Sequence, residues 1–181
     1  EFKKNITLIY GEIGREWLKN LPSLEEKLAQ QFGLRSLTPC PELTYNYVAS
    51  GFKADLPIIL KIGVDLNAIK QEYNALKSFS GNGIVEILNA DLDQGAIVLV
   101  RAVPGKTLSS LFPEHDKTAL EIACNLADQI HQSTIPTNDQ FPLLSEWLSI
   151  IDQDWSLPKQ CLELARALKE ELLNNAQTNV L

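Results

Sequence analysis

Apolar residues near the start of the chain recur at helical spacing. Leu21, Leu24, Leu28 and Phe32 return every three or four positions, which marks the packed face of a helix. Pro22 suits the first turn of that helix and Gly33 its end. A separate short helix is predicted before it, over residues 11–18. The period then changes. Residues 43–49 and 56–63 are rich in Ile, Leu, Val and Tyr and predict two strands joined by a loop over residues 50–55. A short strand over 34–37 precedes them, followed by the turn Thr38-Pro39-Cys40-Pro41. Asp65 is a predicted N-cap for a helix running to Phe79, which Gly81-Asn82-Gly83 breaks. Strands over 84–90 and 96–100 follow, and Pro104-Gly105 closes the β region.

The rest is helical in pattern. Residues 117–131 place Leu120, Ile122, Ala123, Leu126, Ala127 and Ile130 on one face. Residues 142–152 and 158–174 predict two more helices, the last with Leu164, Ala165, Leu168 and Leu172 facing inward. The order is helices, then strand–strand–strand–helix–strand–strand, then helices. Such segregation predicts an α+β fold with an antiparallel sheet. The natural boundary lies near residues 101–105 and divides 1–103 from 104–181.

Composition narrows the function classes. Twenty-three acidic residues against 16 basic ones give a formal charge of −7. No basic patch is present for nucleic acid. The acidity suits a cationic small molecule, or serves solubility alone. Cys40, Cys124, Cys161, His115 and His131 show neither disulfide nor zinc spacing, and a reducing cytoplasm is the expected compartment. No run of about 18 apolar residues predicts a membrane span, and the N-terminus lacks a signal-peptide layout. The sequence contains no Met, and residues 178–181 read as the start of a strand. Both features read as a fragment.

One lysine stands out. Lys61 interrupts the apolar run Pro57-Ile58-Ile59-Leu60-Lys61-Ile62-Gly63, where a cation is costly unless it finds a partner. The plainer reading is an edge-strand lysine that discourages aggregation. Glu72 supplies a partner. On the following helix, Leu66, Ile69, Tyr73, Leu76 and Phe79 form the apolar side, and Glu72 falls roughly 60° from the middle of that stripe. A strand lysine, a helix glutamate, two further strands and a Pro-Gly break make the order of a protein-kinase-like nucleotide lobe.

The motifs carry a closer likeness. Leu43-Thr44-Tyr45-Asn46-Tyr47-Val48-Ala49, Ile59-Leu60-Lys61-Ile62-Gly63, Glu72-Tyr73-Asn74-Ala75-Leu76, Gly81-Asn82-Gly83-Ile84-Val85, Asp91 with Gly95-Ala96-Ile97-Val98-Leu99-Val100, and Pro104-Gly105 resemble the N-terminal part of the aminoglycoside/hydroxyurea antibiotic resistance kinases, which include streptomycin phosphotransferases. The resemblance implies a protein-kinase-like fold. A five-stranded N-lobe with one helix would be followed by the first helices of a helical C-lobe. It implies an ATP- and Mg²⁺-dependent phosphotransferase acting on a hydroxyl of an aminoglycoside-like small molecule. By the same likeness, Lys61 contacts the phosphates of ATP and Glu72 orients it. The backbone of Arg101-Ala102-Val103 holds the adenine, Val100 backs the adenine pocket, and the turn Pro41-Glu42-Leu43-Thr44 lies over the phosphates. No G-x-G-x-x-G stands at that turn.

The family's H-G-D-x-H-x-x-N-x-L segment, with its catalytic Asp and metal-binding Asn, is absent from these residues. It is expected after Leu181, so the chain by itself is expected to be inactive. His131 reads as a packing or capping residue and Asp116 as a helix cap. Glu146, Asp152, Asp154 and Glu163 read as solvated helix positions, and Trp17, Trp147 and Trp155 as core. Two alternatives remain: a non-catalytic nucleotide-binding or interaction module on the same fold, and a fructosamine-type sugar kinase.

Overall fold

A computed structural model describes residues 1–81, 83–133, 141 and 143–175. The chain divides into two compact units, Glu1–Thr134 and Ile135–Leu181. The strand predicted over 178–181 lies outside the described residues, as do Asn82 and Pro142.

The first unit is built on five antiparallel strands: β1 (Leu34–Pro39), β2 (Tyr47–Lys53), β3 (Leu56–Ile62), β4 (Ile87–Asp91) and β5 (Ala96–Val100). Their order is β1-β2-β3-β5-β4. Three helices accompany them: α1 (Phe2–Phe32), α2 (Leu66–Ser78) and α3 (Asp116–His131). This is the α+β, antiparallel arrangement that the pattern predicts.

Alternation along the central strands assigns the two faces of the sheet. Tyr47, Ala49, Ile58, Leu60, Ile62, Ala96 and Val98 form one core with Leu21, Leu28 and Phe32 of α1. Ile58, Leu60, Ile62, Ala96 and Val98 are wholly buried. Val48, Ile59, Lys61, Ile97 and Leu99 alternate with them and turn to the other face. Helix α2 lies against β4 and β5, with Ile69 1% exposed.

The N-terminal region differs from the expectation of two helices separated near Pro22. The backbone breaks at Gly11 instead (φ 56, ψ −125), while Pro22 sits inside the long second segment of α1. Gly11 can take that positive φ without strain. Pro22 costs one backbone hydrogen bond, which the packing of Leu21, Leu28 and Phe32 offsets. The first segment then reaches back, so that Phe2 meets Trp17 edge-on at 6.2 Å. Phe2 also lies 6.4 Å from Tyr47.

The loop expected over 50–55 is mostly strand. Lys53 pairs with Leu56, and the turn is only Ala54-Asp55. Arg35 fastens it, donating to Ala54 O and to Asp55 Oδ1 at 2.9 Å. Ser50 and Gly51 read as loop by residue type, yet Gly51 is required inside the strand. A Cβ there would meet Leu37 Cδ2 at 2.7 Å.

In the second unit, the helix expected over 142–152 is the shorter α4 (Leu144–Leu148) followed by a 3-10 turn, Ser149–Asp152. Helix α5 (Lys159–Asn175) follows. Lys169 joins Asp152 at 2.7 Å, and Glu146 accepts from the Leu143 amide at 3.0 Å. These two acids therefore hold local structure. Trp155 donates to Ile150 O and is half exposed, and Trp147 is more so, so neither is core. The stripe expected to face inward on α5 is exposed at Leu164, Leu168 and Leu172. The same holds on α3 for Leu120, Ile122 and Leu126. Helical spacing reports that a face is apolar, and these side chains stay largely exposed within the described residues.

Candidate functional site

The site begins at the third strand. Alternation turns Lys61 away from the α1 core, and its pairing with Val48 and Ile97 holds it mid-sheet rather than on an edge. The aggregation-guard reading therefore does not apply.

The next turn of chain prepares the partner. The Asp65 carboxylate accepts from the amides of Asn67 and Ala68 at 2.9 and 3.1 Å, which starts α2 where predicted. Ile69 anchors the helix in the sheet, and Glu72 follows three residues later on the same side. Both oxygens of its carboxylate accept from the lysine amine, Nζ to Oε1 at 2.8 Å and Nζ to Oε2 at 2.6 Å. The two side chains are 21% and 33% exposed. The pair is thus shielded enough for charge-assisted bonds to matter and open enough to be reached from solvent.

Beside the amine lies a cavity of about 250 Å³ lined by Cys40, Glu42, Leu43, Thr44, Asn46, Val48 and Lys61. Thr44, predicted at the site, is there. Cys40, Asn46 and Val48 were not predicted to line it. Val48 could have been found from its pairing with Lys61; Cys40 stands in the turn expected over 38–41, and Asn46 in the strand expected over 43–49, which begins only at Tyr47. The segment is tethered by Asn5 of α1, which donates to Thr44 O at 3.3 Å.

The remaining predicted residues lie elsewhere. Val100 pairs with Ile58, a member of the α1-side core. The register therefore turns Val100 away from the face of Lys61, and Leu99 and Ile97 continue that face on β5. The Arg101 amide donates to Pro57 O at 3.0 Å, so it is already engaged. Val103 is 71% exposed, and its amide forms no backbone hydrogen bond among the described residues. Asp116 is the first residue of α3 rather than its cap, which is His115. His131 is exposed in the last turn of that helix rather than in a core. Among the described residues no group of three or more His, Cys, Asp or Glu side chains could hold a metal ion. No helix there is long and apolar enough to cross a membrane.

A five-stranded antiparallel sheet, a central-strand lysine and its carboxylate partner on the next helix define a protein-kinase-like lobe. Solved structures agree on the fold. A thermostable mutant of aminoglycoside phosphotransferase APH(4)-Ia, in ternary complex with ADP and hygromycin B, matches with a TM-score of 0.59 at 17% identity, covering 86% of this chain and 61% of that one. A second structure, of aminoglycoside phosphotransferase APH(4)-Ia, matches with a TM-score of 0.56 at 18% identity, covering 84% of this chain and 60% of that one. The family model for aminoglycoside/hydroxyurea antibiotic resistance kinases matches residues 50–179, and the chain belongs to that family. Curated relatives include a streptomycin 6-kinase of Streptomyces griseus, 24% identical over 127 residues. A hydroxyurea phosphotransferase of Kitasatospora aureofaciens is 27% identical over 127 residues. The match takes in 70% of this chain but 41% and 37% of those two proteins, so the chain spans about two fifths of their length.

Proposed function

We infer that this chain is the nucleotide-binding part of an ATP-dependent phosphotransferase that modifies a hydroxyl-bearing small molecule of the aminoglycoside or hydroxyurea kind. The observation that carries this reading is the Lys61–Glu72 pair beside an open cavity. A lysine amine offers three donors. Two contacts to Glu72 fix its direction, and the amine remains at the cavity wall to meet the α- and β-phosphates. Phosphoryl transfer depends on such positioning and on charge stabilisation. Thr44 and Asn46 offer polar atoms across the cavity. Leu99, partly exposed on the Lys61 face of β5, is the apolar residue for the adenine side, and the Val103 amide is the available hinge donor. Among the described residues the carboxylates do not group to hold Mg²⁺. By the family likeness, the metal ligands and the catalytic aspartate belong to the family's H-G-D-x-H-x-x-N-x-L segment.

The test is phosphate transfer from ATP by the full-length protein to streptomycin, hydroxyurea and a fructosamine, followed by mass spectrometry of each acceptor. A gain of one phosphate on streptomycin or hydroxyurea is expected. Modification of the fructosamine alone would move the protein to a sugar-kinase role. ADP binding without transfer to any acceptor would favour a non-catalytic module.

A further inference from the structure

We propose that Gly63 and Gly95 form a positioning pair, whose lack of side chains sets the distance between α2 and the sheet and thereby aims Lys61 through Glu72. The inference rests on the phosphate-binding reading of Lys61.

The β3–β5 ladder ends at the pair Ile62 and Ala96. One further bond follows it, from the Gly63 amide to Gly95 O at 2.9 Å. Both glycines are buried. A Cβ on Gly63 would lie 2.7 Å from Ile69 Cγ1, 2.9 Å from Ile69 Cδ1 and 2.7 Å from Asn46 Oδ1. A Cβ on Gly95 would lie 2.7 Å from Gly63 O and 2.8 Å from Leu66 Cδ2. These approaches are closer than packed carbon atoms tolerate. The two glycines thus meet each other, the first turn of α2 and the residue one helical turn before Glu72. Asn46 also lines the cavity beside Lys61, so Gly63 touches both sides of the site.

The two positions differ usefully. Gly95 has a φ of +63, so alanine there is strained as well as crowded. The φ of Gly63 is not positive, so alanine at Gly63 tests the contact alone. A methyl there pushes on Ile69 and moves Glu72 with it, because a helix turn shifts as a unit.

The experiment measures binding of ADP and of adenosine to the full-length protein by calorimetry. Gly63→Ala should weaken ADP about tenfold, the worth of one charge-assisted contact, and leave adenosine within about twofold. Adding Ile69→Ala removes the contacts with Ile69 Cγ1 and Cδ1, leaves only the flexible amide end of Asn46 to turn aside, and should restore most of the ADP affinity. Lys61→Ala is the control. If it leaves ADP binding intact, the phosphate reading of the lysine fails and takes this inference with it. If Lys61→Ala loses ADP while Gly63→Ala does not, only the positioning role is overturned. Equal loss of ADP and adenosine, or no recovery with Ile69→Ala, overturns it too. If Gly63→Ala does not fold, the double variant decides. Near-normal ADP affinity upholds the pair, and loss confined to ADP refutes it.

Discussion

Three side chains carry separate expectations. Lys61→Ala removes the amine and leaves Glu72 alone on a half-shielded surface. In the full-length protein, phosphate transfer should fall by about two orders of magnitude or more, with the thermal midpoint little changed. Glu72→Gln keeps the shape and loses the charge. It should raise KM for ATP more than it lowers the thermal midpoint, because a wandering lysine still fills space. Steady-state kinetics beside calorimetry checks both. Tyr47 makes a different case. Burial, and then the hydrogen bond to Glu25 at 2.8 Å, hold its phenol well above the ordinary value. Above about pH 10 the unfolded chain releases that proton while the folded chain keeps it, so stability falls as pH rises. Denaturant midpoints at pH 8 and pH 10.5 should therefore diverge more in the wild type than in Tyr47→Phe.

Elements show what periodicity can and cannot deliver. Helix α2 was legible because Asp65 caps it and because its stripe locates Glu72 by angle. A strand has two faces, and which of Leu99 or Val100 joins Lys61 depends on pairing with β3, which no local pattern states. Gly51 and Ser50 were read as loop from residue type, although a neighbouring leucine demands the glycine in the strand. The cavity segment is misread by residue type: Leu43 and Tyr45 suggest strand, yet β2 begins only at Tyr47, and residues 40–46 form the irregular wall that brings Cys40 and Asn46 to the cavity. The same contrast yields a stability test. Leu28 of α1 is wholly buried and Leu164 of α5 is 61% exposed. Leu28→Ala should cost about 2–5 kcal/mol, and Leu164→Ala about 0.5 kcal/mol or less. Urea unfolding of both variants measures the difference.

For the whole molecule, the strands and their helix are readable as a succession along the chain, the sheet order with β5 between β3 and β4 is not, and family likeness supplies what each element is for. The acceptor was not readable. Two acids of the helical region, Glu146 and Asp152, hold a helix start and a lysine within their own unit. The helical stripes on α3 and α5 show that a sequence marks an apolar face without naming its cover.

The ion pair has a kinetic corollary. Lys61 and Glu72 cancel formally, Glu42 adds a negative charge at the cavity, and the chain as a whole stands at −7. A polyphosphate approaching from a distance therefore meets repulsion, and finds the ammonium attractive only at contact. Added salt shortens that repulsion to a Debye length of about 8 Å near physiological strength. Stopped-flow association of ADP should consequently quicken as salt is raised, the reverse of what a positively steered anion site would show.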